Sequence, residues 1–182
     1  MSFLAAGLRH HSWVCEQWKL LGPPLLTCEP VLTEAAYLPE AGRPRGRSSF
    51  CLLGRGVIRI AIDIQEEQTD LRALMHRYRD RPMSLADACL VRMAEIHAGG
   101  EVFTLDSDFR VYRRHGNRVI PVLMPDPDRE KAPRQLGPQG GRAASGSGLS
   151  PSSSRVHLIR GFSFCFGAEL LSSQSGQVRN SM

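Results

Sequence analysis

Four acids in this chain stand where carboxylates could hold a cation: Glu34, Asp87, Asp106 and Asp108. Three of them lie in one stretch, PMSLADACLVRMAEIHAGGEVFTLDSDF, residues 82–109. Asp87 falls in the first turn of a helix that Ser84 opens, while Asp106 and Asp108 follow directly on the apolar run VFTL. Two carboxylates at the end of one strand repel each other, at a cost in energy, unless a cation or a base answers them. Hard carboxylate oxygens suit Mg²⁺ or Mn²⁺ rather than zinc. Plainer roles compete for each acid. Ser84 and Asp87 have the spacing of a capping box, which by itself stabilises a helix by about 0.3–1 kcal/mol. Ser107 and Asp108 suit an N-cap. A calcium loop of EF-hand type is excluded, because its glycine and its closing bidentate Glu are absent. Glu34 lies beside the apolar stripe of Val31, Leu32, Ala35 and Leu38, with no basic partner nearby in sequence.

The elements that would place these acids are legible from periodicity and punctuation. HHSWVCEQWKLL, residues 10–21, spaces Trp13, Val14, Trp18 and Leu21 as a helix that Gly22-Pro23-Pro24 stops. LLTC is a short strand, and EPVLTEAAYL a helix with Pro30 in its first turn, where a missing N–H costs nothing. PEAGRPRGR, residues 39–47, is a loop with Arg43, Arg45 and Arg47. Phe50–Leu53 ends a further helix, before the strand VIRIAIDI. EEQTDLRALMHRYRD has acids first and bases last, as the helix dipole prefers. LADACLVRMAEIH is the next helix, EVFTL a strand, DSDFRVYRRHG a short helix and RVIPVLM a last strand. Strand and helix alternate, which predicts an open parallel α/β sheet. In such a sheet the positions after strands collect on one edge, so Glu34, Asp87 and Asp106 are expected together. Arg110, Arg113, Arg114 and His115 lie just beyond them, as a phosphate backbone would require.

Composition narrows the classes. Residues 1–124 carry 16 Lys/Arg against 14 Asp/Glu, so most of the net charge of +5 lies in the remainder, and it is weak evidence for nucleic acid. The five cysteines are scattered without a C-x-x-C, which excludes a disulfide or zinc framework and points to a reducing, cytoplasmic compartment. No stretch approaches the length of a membrane span. After Pro125, DPDREKAPRQLGPQGGRAASGSGLSPSSSR is rich in Gly, Pro and Ser, and it reads as unable to bury enough apolar area to fold. VHLIRGFSFCFGAELL, residues 156–171, turns apolar again without a connecting turn or strand context.

PLLTCEPVLTEAAYL, GVIRI, MSLADACLVRMAE, VFTLDSDFRVYRRHG and VIPVLMP together resemble PIN-domain proteins of the VapC-type toxin ribonuclease group. Order and spacing agree over about residues 3–124, and S-x-A-D-A with T-x-D-x-D-F is the most specific part. The resemblance implies an α/β/α sandwich with a parallel sheet, and metal-dependent endonucleolytic cleavage of RNA. Glu34, Asp87 and Asp106 would be catalytic metal-binding acids with Asp108 as accessory ligand, holding Mg²⁺ or Mn²⁺. Ser84 and Thr104 would orient them, and Arg110, Arg113 and Arg114 would take RNA. An antitoxin protein and a homodimer are further implications.

One departure is large. The family pattern places a central strand ending in a catalytic Asp ahead of SFLAAGLRHHSW, whereas no aspartate precedes Asp63 here. The expectation is therefore an N-terminally truncated PIN-like domain over residues 1–124 with its first strand missing, three acids around a gap, and a disordered tail over 125–182. Such a chain would cut RNA only if that strand were supplied, and otherwise would bind RNA or an antitoxin without cutting. A phosphatase of Asp-x-Asp type fits poorly, since there the aspartate pair follows an early strand and here it comes late.

Overall fold

Along β1 (Leu25–Thr27) the residues Leu25 and Leu26 are both buried yet belong to different hydrophobic clusters. Successive strand residues point to opposite faces, so a strand apolar on both faces must be covered on both. The computed structural model describes residues 10–37, 47–125 and 157–160 and meets that demand with an α/β architecture. Before and after β1 come α1 (His11–Leu20) and α2 (Glu29–Tyr37). Then follow α3 (Arg47–Gly54), β2 (Ile58–Ile60), α4 (Gln68–Arg77) and α5 (Leu85–Ile96). β3 (Glu101–Phe103) leads to a 3₁₀ turn at Ser107–Arg110. β4 (Arg113–Arg114), β5 (Arg118–Val119), β6 (Val122–Leu123) and β7 (His157–Ile159) complete the order.

Five strands form one parallel sheet in the order β2-β1-β7-β3-β6. The register keeps like faces together. Leu26, Leu158, Val102 and Val122 line one face, packed with Leu90, Met93, Leu71 and Leu74 from α4 and α5. Leu25, Ile58, Ile159, Phe103 and Leu123 line the other, against Val14 and Trp18 of α1 and Leu52 of α3. Arg92 ties α5 to α4 by ion pairs with Glu67 at 2.7 Å and Asp70 at 2.9 Å. Cys28 and Cys89 are buried thiols. Contact with Cys89 and burial together hold the Cys28 thiol above its ordinary range.

The sheet corrects the expectation of a missing strand. The slot between β1 and β3 is filled by β7, a segment from within the stretch assigned to a tail. An empty slot would leave the N–H and C=O groups of β1 and β3 unpaired in a buried sheet, which is costly. β7 answers both sides: Leu158 pairs with Leu26 and Val102, and Arg160 N–H donates to the Phe103 carbonyl at 3.2 Å. Of the expected loop at 39–47, Arg47 begins α3 and the rest, with Arg43 and Arg45, lies outside the described residues, as does the remainder of the expected tail.

A second correction concerns DSDFRVYRRHG. The structure makes only the 3₁₀ turn there, and then an antiparallel β4–β5 hairpin. His115 (φ 47°) and Gly116 (φ 85°) reverse the chain, and the His115 N–H is held by Glu95 Oε1 at 2.7 Å. RVIPVLM is correspondingly split between β5 and β6 at Pro121, which has no N–H to continue a ladder.

Candidate acidic site

Parallel strands deliver their carboxyl ends to one edge, and the site is built there. β3 leads into Thr104, whose Oγ1 accepts the Asp106 N–H at 3.0 Å. Asp106 Oδ1 in turn accepts the Asp108 N–H at 2.9 Å, which caps the 3₁₀ turn. At the start of α5 the capping box is complete. Ser84 N–H donates to Asp87 Oδ2 at 3.0 Å, and Asp87 N–H donates to Ser84 Oγ at 3.2 Å. Ser84 and Thr104 therefore hold the two acids by their backbone and carboxylate groups. Removing the cap in Ser84→Ala should lower stability by about 1 kcal/mol in urea unfolding. A change near zero would show that the box contributes nothing to α5.

Sequence reasoning did not anticipate the residue at the centre of this edge. Arg160 follows β7 directly and is 8% exposed. Its Nη1 hydrogen-bonds Asp106 Oδ2 and forms an ion pair with Asp87 Oδ1, while Nη2 lies 3.9 Å from Glu34 Oε2. The guanidinium stacks near the Phe109 ring, 5.7 Å from its centroid, a partly desolvated cation–π contact. Thr27 Oγ1 donates to the Ile159 carbonyl at 3.4 Å and fixes the strand just before it. The three expected acids do converge, and what they converge on is an arginine.

Burial is unequal among them. Asp87 is buried at 3% exposure, the Asp106 side chain is 20% exposed and that of Glu34 41%. Burial pushes the Asp87 carboxyl above the ordinary carboxylate range; the Arg160 charge and the Ser84 N–H pull it back without cancelling the rise, and Asp106 adds to it. Tyr112, fully buried beside this edge, has a phenol pushed up by burial and then by the charges of Asp87, Asp108 and Asp106. Its hydroxyl has no hydrogen-bond partner among the described residues.

No match was found for this chain among family models, curated proteins or solved structures. The chemistry rests on the geometry alone. Among the described residues, no group of three or more His, Cys, Asp or Glu is arranged to hold a metal ion. Asp87 and Asp106 both aim at Arg160 Nη1. A divalent cation and a guanidinium nitrogen cannot share one position, so the residues as placed do not fit Mg²⁺ or Mn²⁺. No hydrolytic step through a metal follows from this arrangement.

The arginines expected to take RNA are also partly committed. Arg113 Nη1 donates to the carbonyls of Arg110, Val111 and Tyr112 at 2.7, 2.8 and 2.9 Å. Arg114 Nη1 donates to the Ala94 carbonyl at 3.3 Å, and Arg110 Nε contacts Met124 Sδ at 2.8 Å. No helix among the described residues is long and apolar enough to cross a membrane.

Proposed function

We propose that this chain is a PIN-like protein of α/β/α sandwich type that binds RNA without hydrolysing it. The observation that carries the reading is the Arg160 guanidinium seated between Asp87 and Asp106, where a nuclease of this kind would place its metal. An acidic edge unanswered by a cation would repel a phosphate backbone. With Arg160 in place, part of that charge is neutralised, and Arg110 stands in the 3₁₀ turn that Asp106 caps, while Arg114 lies by the other end of α5. Phosphate contacts of this kind supply sequence-independent, salt-dependent affinity.

A second reading has one observation in its favour. Asp87 and Asp106 both reach the Arg160 guanidinium, so metal-dependent cleavage at this edge would require Arg160 to leave. One assay separates the two. Fluorescently labelled single-stranded RNA is incubated with the full chain and Mn²⁺, and both retention and product are scored. Retention that weakens with salt, without any Mn²⁺-dependent product, is expected. A product that requires Mn²⁺ and disappears in Asp87→Asn would establish the nuclease instead.

A further inference from the structure

The misfit between the acidic edge and a divalent metal has its own explanation in the path of the chain. We propose that Arg160 is the resident cation of this site, carried into the sheet by β7, so that strand and divalent metal compete for one place. The inference rests on reading the edge as a centre built to hold a cation.

Three features support it. The first is position: Arg160 is the residue that follows the central strand, and its two neighbours in the sheet, β1 and β3, lead into the elements carrying Glu34 and Asp106. The second is coordination. One nitrogen, Nη1, meets a carboxylate oxygen from each of Asp87 and Asp106, and Nη2 lies 3.9 Å from Glu34 Oε2. The third is burial. Asp87 and Arg160 are both shielded from water, and a buried Asp87 carboxylate left without a cation beside Asp106 would have to protonate or find a replacement. Arginine suits the task because its charge does not titrate and its planar fork reaches several oxygens together.

Mn²⁺ binding followed by electron paramagnetic resonance tests the idea on the full chain. Wild-type protein should leave millimolar Mn²⁺ free in solution. Arg160→Met should bind a stoichiometric amount, should rise in melting temperature when Mn²⁺ is added, and should lose both effects when Asp87→Asn is added. Mn²⁺ binding by the wild type as tight as that of Arg160→Met would overturn the proposal, as would a folded Arg160→Met that binds none. Should Arg160→Met fail to fold, the double variant with Asp87→Asn decides. Recovery of cooperative unfolding would show that Arg160 balances charge; no recovery would show that it acts by packing and would sink the proposal. RNA retention is scored apart, so a wild type that ignores RNA removes the proposed function and leaves the cation assignment standing.

Discussion

Leu158→Asp is expected to abolish the cooperative thermal transition of this chain. Leu158 is fully buried at the centre of the middle strand, paired with Leu26 on one side and Val102 on the other. Truncating such a leucine to alanine typically costs about 2–5 kcal/mol through lost transfer energy and an unfilled cavity. Aspartate adds the cost of an unpaired carboxylate in an apolar layer, several kcal/mol more. A domain of this size is stable by about 5–15 kcal/mol in all, so the two costs together approach or exceed the total. Val119→Asp serves as the control: Val119 is 66% exposed on β5, and a surface change there should stay within about 0.5 kcal/mol. Circular dichroism melting of both variants is the measurement. A Leu158→Asp protein that melts like the wild type would mean that β7 does not lie in the sheet.

That variant probes the element least legible in the sequence, and the reason is physical. α2 and α5 could be read because their signals are local: Pro30 in a first turn, and Ser84 with Asp87 closing a capping box three residues apart. β1 could be read because LLT is apolar on both faces and bounded by Gly-Pro-Pro and Cys-Glu. β7 has no such local signature. Three residues carry little strand preference, and strand preference is mostly a statement about neighbours. Here the neighbours are Leu26 and Val102, distant in sequence. The expectation from the resemblance was a central strand ahead of α1 that this chain lacks, whereas β7, from the stretch read as a tail, lies between β1 and β3 and brings Arg160 there. The available clue was the run V-H-L-I ending in Arg160, the apolar stretch left without a place. The hairpin at 113–119 was missed for a different reason. Its Arg-rich sequence reads as a basic last turn, and only the positive φ of His115 and Gly116 turns it back.

The site's electrostatics make a further expectation that separates an arginine-filled centre from an ordinary salt bridge. Asp87 is pushed above the ordinary carboxylate range chiefly by burial, even with Arg160 beside it. A carboxyl whose pKa is higher in the folded chain binds its proton more tightly when folded. Its contribution to stability is therefore fully present below the ordinary aspartate value of about 3.9 and is lost as pH rises through the raised value. Each unit of such a rise corresponds to about 1.4 kcal/mol. Asp87→Asn removes the titration while keeping an oxygen that can accept the Ser84 N–H, and Arg160 retains Asp106 and Glu34. The variant should thus match the wild type in acid and become progressively more stable than it as pH climbs from that aspartate value toward neutrality. Urea unfolding across this window gives the difference directly. The opposite slope, with the wild type gaining on Asp87→Asn as pH rises, would mean that the Arg160 charge outweighs burial at Asp87. The pair would then be a net stabilising bridge, and the strand carrying Arg160 would be held by the acids rather than merely tolerated by them.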